Sequence, residues 1–285
     1  MSGWAEIRDG AVLYEDDAIL VLNKPAGLSV MGERHETDLV RMAAEAGEKL
    51  YPAHRIDKVT SGALLLAKDL ALHGDLTRQF NRRSVDKVYL AVTRSAGLPD
   101  RGVIDLPLSV GRKNRVRVAA NRADIGYDPA RSRWSVPPGA EFTQVRTYPS
   151  VTTFLTVAGT QTHTLLAVHP VTGRRHQIRV HLAWTGHPIE GDPLFGGTAT
   201  QVTQATGAAQ ATRAAQVTAP AAGQAAGPGR TLLHSWRLGF TAAWADGARI
   251  EVEAPPEDAF WTVLDGPPAL PDWPTTRAAL AAPPS

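Results

Sequence analysis

The sequence predicts an α+β fold with a largely antiparallel mixed sheet, flanked by helices and loops. Short apolar segments with strand periodicity are mixed with helix-like segments, without the regular strand–helix–strand spacing of a parallel sheet. Of the 285 residues, 43% are hydrophobic and 20% are charged, which is enough to bury a sizeable core. Neither G-x-G-x-x-G nor G-x-x-x-x-G-K-[ST] occurs, so the folds that bind nucleotide cofactors lose their main support.

The predicted elements of the first third alternate between buried strands and surface helices. The apolar runs at 18–22 and 63–67 predict strands, because each is short and bounded by turn residues. Helical spacing over 38–50 predicts a helix that Thr37 or Asp38 caps. Apolar residues four apart predict an amphipathic helix over 70–80.

The next strand determines where an aromatic side chain points. In KVYLAVT, residues 87–93, both valines and the leucine share one strand face, so Tyr89 lies on the other with Lys87. Glycines, prolines and aspartates over 124–140 predict a long irregular excursion. We expect a further helix over 174–185, with Thr172 as its N-cap and Gly186 just after its end.

Composition divides the chain into one domain and a tail. We predict a single domain over 1–260, interrupted by a flexible loop at 198–229 that consists almost entirely of Ala, Thr, Gln and Gly. The proline-rich residues 261–285 are predicted to form a C-terminal tail. Without a leader-like or membrane-spanning segment, we expect a cytoplasmic protein, and no feature demands an oligomer, so a monomer is expected.

The absence of cysteine restricts the available chemistry. It excludes disulfide scaffolds, thiolate metal sites, iron–sulfur clusters and cysteine nucleophiles. The net charge of +2 favours an anionic partner only weakly. The basic segment 112–122 fits a phosphate-binding element and a solvated basic loop about equally well.

The densest polar segment is PAHRIDKVTSG, residues 52–62, which lies directly before an apolar strand. Arg55 and Lys58 flank Asp57, so its carboxylate stays ionised, as a nucleophile or general base requires. On spacing alone, an ordinary loop aspartate in a surface salt bridge is the favoured interpretation.

Five blocks of sequence, in order, resemble the RluA-type RNA pseudouridine synthases. The most specific is HRIDKVTSGALLLAK at 54–68, and the resemblance extends over about residues 11–256. The other blocks are NKPAGLSV at 23–30, KVYLAV at 87–92, GRRHQIRVHLAWTGHPIEGDPLFG at 173–196 and LLHSWRLGF at 232–240. The resemblance implies the pseudouridine synthase fold and the isomerisation of uridines in ribosomal or transfer RNA, without a metal or other cofactor.

The resemblance also assigns roles to individual residues. Asp57 matches the catalytic aspartate, Tyr89 the active-site tyrosine and Arg179 the basic residue that pairs with the aspartate. Arg55 matches the arginine that enters the space left by the flipped nucleotide. Four further positions are expected to bind substrate, namely His54, Thr60, Ile178 and Leu182.

The segments 124–140 and 198–229 resemble insertions or replacements in loops of the family, and such loops bear on the choice of RNA. The family-like text begins by Ala11, so we expect no separate RNA-binding domain ahead of the catalytic one. The loops of the catalytic domain would then select the target. Phe195 stands where the family commonly has Tyr, and Ile56 where Leu is common.

Two other function classes stay open. The first is a non-catalytic RNA-binding or ribosome-assembly factor on the same fold. The second is a metal-dependent hydrolase that uses the clustered histidines with Asp192, but His176 and His181 are five residues apart and would point about 140° apart on a helix. We therefore interpret His176 as structural or RNA-facing, and the GDPLFG block at 191–196 as a turn that shapes a cleft.

Overall fold

A computed structural model describes residues 3–32, 38–111, 115–196 and 229–281. The strands are β1 (Val12–Glu15), β2 (Ile19–Lys24), β3 (Tyr51–Pro52), β4 (Ser61–Ala67), β5 (Asp86–Thr93), β6 (Arg101–Asp105), β7 (Leu108–Val110), β8 (Val116–Val118), β9 (Gly126–Asp128), β10 (Arg133–Ser135), β11 (Thr147–Tyr148), β12 (Val151–Gly159), β13 (Thr164–Pro170), β14 (Leu233–Ala242) and β15 (Ala248–Glu253). The helices are α1 (Trp4–Ala11), α2 (Leu39–Glu45), α3 (Leu70–Arg82), α4 (Gln177–Trp184) and α5 (Trp273–Ala281).

The strands form two sheets, of which the larger confirms the predicted fold class. Within the described residues it has twelve strands, in the order β1-β2-β4-β14-β5-β13-β12-β6-β10-β9, with β15 on β14 and β3 on β4. Its neighbours are antiparallel except for β4 with β14 and β6 with β10. The smaller sheet has the order β11-β7-β8.

Strands β2 and β4 are buried on both faces, which explains their continuous apolar runs. Alternate residues enter two core clusters, so Val21 and Leu65 pack on one face, whereas Leu22 and Leu64 pack on the other. Helix α3 covers the first face, and helices α1 and α2 cover the second. This packing fixes the start of β4 and so anchors the end of the loop that precedes it.

Gly62 allows β14 to lie against the start of β4. Its φ is +105°, and a Cβ built on it would lie 2.2 Å from the carbonyl oxygen of Ser235. The parallel pairing of His234 with Ser61 and of Ser235 with Gly62 depends on this close approach.

Several helix ends and loops differ from the sequence-based predictions. Asp38 caps α2, as expected, by accepting a hydrogen bond from the backbone N–H of Arg41. Thr172 does not cap α4, because the helix begins only after His176, whose backbone is left-handed (φ 54°). Thr172 instead donates a hydrogen bond to the Gln177 side chain at 2.6 Å. Gly186, with φ 93°, does follow the end of α4.

The excursion and the C-terminal segment contain more regular structure than predicted. Strands β9 and β10 lie within 124–140 and join the large sheet. In the segment predicted as a tail, the apolar side chains Trp261, Leu264 and Leu280 are buried in the core cluster under β5 and β13. The prolines dominate the composition of this segment, but its few large apolar residues determine its packing. The predicted loop at 198–229 lies outside the described residues, apart from Gly229.

None of the helices in the described part of the chain is both long and apolar enough to cross a membrane.

Candidate active site

A cleft of about 960 Å³ opens where the loop before β4, strand β5 and the N-terminus of α4 meet. Its walls come from residues 52–60, from the C-terminal half of α3, from Lys87 and Tyr89 of β5, and from residues 173–179. All five sequence blocks therefore contribute to one cavity, since Ser29 and Leu233 also line it. The volume lies within the range of small-molecule sites, and it suits a single nucleotide.

Asp57 lies in the loop before β4, and its side chain is about one quarter exposed. The N–H of Thr60 donates to the Asp57 carbonyl at 3.0 Å, which closes a turn. The NKPAG block supports this turn from the other side, because the N–H of Gly27 donates to the Lys58 carbonyl at 2.7 Å. The buried amine of Lys24 in turn holds that block by donating to the carbonyls of Pro25 and Leu28.

Arg179 projects from α4 to the carboxylate of Asp57, as the resemblance implied. Its Nη1 donates to Asp57 Oδ2 at 2.8 Å, and its side chain is only 3% exposed. Burial alone would lower the pKa of Arg179, but the hydrogen bonds and charges of Asp192 and Asp57 outweigh burial and raise it. The guanidinium is therefore a permanent cation at the wall of the cleft.

Asp192 holds the other edge of the same guanidinium. It accepts hydrogen bonds from Arg179 Nε at 2.7 Å and from Nη2 at 2.8 Å, in a bidentate pair. Burial would raise the pKa of the Asp192 carboxyl, but Arg179 and the backbone N–H groups of Leu194 and Phe195 hold it below its ordinary value. The sequence did not reveal this role of Asp192, since its block was predicted to form a turn.

His176 lies against the second oxygen of Asp57, with its Nε2 3.6 Å from Oδ1. Burial lowers the pKa of His176, while the charge of Asp57 opposes that shift. Its ring meets Phe195 edge-on at 5.8 Å between centroids, so an aromatic ring at 195 is used here without a hydroxyl. A left-handed backbone at a residue other than glycine often marks a functional site, but the sequence does not reveal it.

Tyr89 faces the cleft, as its strand register predicted. Burial raises the pKa of its hydroxyl to about 12, so the tyrosine stays neutral and presents a flat apolar ring beside Asp57. Lys87, two residues earlier on the same strand face, also lines the cleft, and burial lowers the pKa of its amine to about 8. The strand pattern predicted this face for Lys87, but no role for its amine.

The residues expected to bind substrate divide into three groups. Arg55 is exposed at the cleft, and Thr60 and Ile178 are buried in its wall. The prediction that Leu182 binds substrate is corrected, because this side chain is fully buried in the core cluster around Val168 and does not line the cleft. It lies one helical turn beyond Ile178 on α4, which carries it past the cavity.

His54 lines the cleft, but its imidazole also has a structural contact. Its Nε2 accepts a hydrogen bond from the backbone N–H of Leu65 at 3.1 Å, and the ring stacks on Phe80 at 4.5 Å. Burial lowers the pKa of His54 to about 3, so the ring is neutral. It therefore joins the loop before β4 to β4 itself and to α3.

The clustered histidines do not form a metal site in the described residues. Both ring nitrogens of His181 are used, one beside Thr152 Oγ1 at 2.9 Å and the other beside the Leu106 carbonyl at 2.9 Å. Across residues 3–32, 38–111, 115–196 and 229–281, no three His, Asp or Glu side chains are grouped closely enough to hold a metal ion.

Comparison with known proteins identifies the family of the chain. The RNA pseudouridylate synthase family profile matches residues 18–184, a range that contains Asp57, Tyr89 and Arg179. The chain belongs to this family. Two curated relatives that act on the ribosomal large subunit by name are pseudouridine synthase D of Nitrosomonas europaea, 34% identical over 238 residues, and pseudouridine synthase C of Vibrio vulnificus, 35% identical over 199 residues. The dual-specificity RNA pseudouridine synthase RluA of Escherichia coli K12 is 32% identical over 190 residues.

These matches cover most of this chain, but only part of some relatives. The first covers 81% of this chain and 57% of the relative, and the second covers 67% and 54%. The match to RluA covers 65% of this chain and 76% of the relative. This chain thus spans little more than half the length of two of these pseudouridine synthases.

Solved structures of the family share the fold. The human RNA pseudouridylate synthase domain containing 1 superposes with a TM-score of 0.63 at 22% identity, covering 96% of each chain. The human domain containing 4 gives a TM-score of 0.62 at 23% identity, covering 90% of this chain and 92% of its own. The expected RluA-type family and its fold are therefore confirmed.

Proposed function

We propose that this protein isomerises uridine in RNA to pseudouridine, with Asp57 as the catalytic carboxylate. The observation that carries the proposal is the Asp57–Arg179 pair in the wall of the cleft, beside the ring of Tyr89. Membership of the family supports it, because its named relatives modify ribosomal and transfer RNA. Such substrates would place the protein in the cytoplasm.

The proposed reaction begins with a flipped-out uridine. Leaving the RNA stack costs a few kcal/mol, which contacts in the pocket offset. Arg55, exposed at the cleft, is suited to fill the space that the nucleotide leaves. The ring of Tyr89 offers a flat wall for the uracil, and its neutral hydroxyl places no charge against the base.

Asp57 then assists cleavage of the N1–C1′ bond, either by attacking the sugar or by helping a glycal to form. The detached uracil rotates while it is held, and C5 bonds to C1′. The hydrogen on C5 leaves as a proton, N1 gains a proton, and the product is an isomer of the substrate. The reaction balances without an oxidant, a reductant or a metal ion.

The surroundings of Asp57 fit this role. Arg179 donates to Oδ2, and His176 lies near Oδ1, so each oxygen of the carboxylate has a neighbour that restricts its position. A carboxylate held in one orientation loses less entropy at the transition state. Asp192 contributes by fixing Arg179 rather than by contacting the substrate.

The reaction is tested by tritium release from cellular RNA that is labelled at uridine C5 and extracted from a strain lacking this protein. Formation of the C5–C1′ bond must expel that hydrogen, so the purified protein should release tritium and convert uridine to pseudouridine in the digested RNA. Release should persist in the presence of a chelator. Binding without release, from a folded protein, would favour the non-catalytic RNA-binding factor, and loss of release with the chelator would favour metal chemistry.

A further inference from the structure

Two arginines share one aromatic ring at the edge of the cleft. The guanidinium carbon of Arg146 lies 5.0 Å from the centroid of Tyr148, and that of Arg174 lies 5.2 Å from it. Both arginines are exposed, and Tyr148 is half-buried. We refer to these three residues as the Arg–Tyr–Arg cluster.

The cluster carries two positive charges. Some exposed arginines of the structure pair with nearby carboxylates, such as Arg41 with Glu45 and Arg131 with Asp128. In the described part of the chain, neither arginine of the cluster has a carboxylate within 4.0 Å. Two like charges that contact one ring repel each other, and an anion bound beside them would relieve that repulsion.

The cluster is also preorganised. Tyr148 lies in β11 opposite Leu108 of β7, and its carbonyl accepts a hydrogen bond from Ser150 Oγ at 2.9 Å. The backbone of Arg174 is fixed by Gln177, which accepts from its N–H at 3.0 Å and donates to its carbonyl at 3.1 Å. Tyr148 and the backbone of Arg174 are therefore in place before a ligand binds, which lowers the ordering entropy that binding costs.

The position of the cluster connects it to the proposed reaction. Arg174 itself lines the cleft, and it precedes His176, which contacts Asp57, by two residues. Stacking on Tyr148 covers one face of each guanidinium and leaves its N–H edge available, which is the edge that recognises phosphate.

We propose that the Arg–Tyr–Arg cluster binds the sugar–phosphate backbone of the RNA next to the flipped uridine. The proposal rests on the proposed function, since it takes the occupant of the cleft to be a nucleotide of RNA. Its ligand is the phosphate backbone and not a base, so it sets affinity and register but not sequence preference.

Fluorescence anisotropy with a fluorescein-labelled RNA stem-loop that carries uridines in its loop tests this proposal. Removing both arginines, in Arg146→Gln/Arg174→Gln, should weaken binding about tenfold at moderate salt. Two lost phosphate contacts should also reduce the slope of log K against log salt by about 1.4 to 1.8. Tyr148→Phe keeps the ring and should bind as the wild type does, whereas Tyr148→Leu should weaken binding.

Two control variants separate the cluster from general charge. Arg131→Gln removes an exposed arginine that is paired with Asp128, and it should leave the affinity and the slope unchanged. Arg117→Gln/Arg122→Gln tests the other basic segment. Circular dichroism checks that each variant folds. The arginine variants are expected to fold because these side chains are exposed.

The outcomes distinguish this proposal from the proposed function. If Arg146→Gln/Arg174→Gln keeps the wild-type affinity and salt slope, the proposed role of the cluster is overturned, even if the wild type releases tritium. A loss confined to the Arg117/Arg122 variant would also overturn it, as would the absence of measurable binding by the wild type. Weakened binding in the cluster variant, together with no tritium release by the wild type, would support the cluster and reject the reaction.

Discussion

The carboxylate of Asp192 accepts two hydrogen bonds from Arg179, whereas that of Asp57 accepts one. The side chain of Asp192 is 1% exposed and that of Asp57 is 25% exposed. The better-shielded carboxylate thus fixes the orientation of the guanidinium, and only Nη1 is directed to the cleft. Asp192 therefore positions Asp57 indirectly, by holding Arg179 in place.

Asp192→Asn should slow tritium release without an equal loss of RNA affinity. The amide cannot accept two hydrogen bonds from Arg179, so the guanidinium shifts, and misplacement by about 1 Å can cost about a hundredfold in rate. Single-turnover release and anisotropy measure the two quantities. Glu190→Gln is the matched control, since Glu190 is another buried carboxylate that pairs with an arginine, Arg94, away from the cleft. Equal loss of rate in both variants would indicate a purely structural effect.

Arg179→Ala should damage both stability and activity. It leaves the buried carboxylate of Asp192 without its cation, and breaking a buried pair in this way costs about 3–5 kcal/mol. Urea unfolding measures this loss, and Arg131→Ala, which breaks an exposed pair, should cost less than about 1 kcal/mol. An Arg179→Ala protein that is as stable and active as the wild type would contradict the assigned geometry.

Gly62→Ala should prevent β14 from packing against β4. The new Cβ would meet the Ser235 carbonyl at 2.2 Å, and backbone on both sides cannot yield without moving the strands. We expect a loss of several kcal/mol or failure to fold. Gly27→Ala is the control, because Gly27 also has a positive φ but has no neighbour within 4 Å, so it should cost only about 1 kcal/mol. Similar melting temperatures for both variants would refute the close-approach argument.

Stability should fall as the solution is acidified from pH 6.5 toward pH 4. Burial lowers the pKa of His181 and of His234 to about 4 in the folded chain, against 6.5 in the unfolded one. Between these values the unfolded chain binds protons that the folded chain excludes, so each group costs up to about 3 kcal/mol by pH 4. Urea unfolding across this range measures the slope, and His234→Gln should flatten it. An NMR titration of either imidazole near pH 6.5 would contradict the prediction.

The sequence predicted those elements whose local pattern agrees with their final environment. The runs in β2 and β4 are apolar throughout because both faces of these strands are covered, and the register of β5 correctly placed Tyr89 on the cleft side. The predicted start of α4 was wrong, because hydrogen bonds to the Gln177 side chain, and not a local cap, determine where the helix begins. The packing of Leu280 could not be predicted, because it depends on a sheet distant in sequence.

The same limit applies to the site. A specific motif identified Asp57, and its partner Arg179 came from a second block of the same family. The contact of Asp192 with Arg179 and the position of His176 beside Asp57 were not predicted, because they depend on distances that only the folded chain creates. Leu182 was misplaced because its position relative to the cleft depends on where α4 crosses the sheet.

The most direct test of the account compares tritium release by the wild type with that by Asp57→Asn, on the same C5-labelled RNA and at equal RNA occupancy. The amide keeps the shape of the side chain but cannot act as a nucleophile or base. Because phosphate contacts dominate RNA affinity, the variant should bind within a few-fold of the wild type. The account predicts release by the wild type and none by Asp57→Asn. Release by Asp57→Asn at a rate near that of the wild type would contradict it.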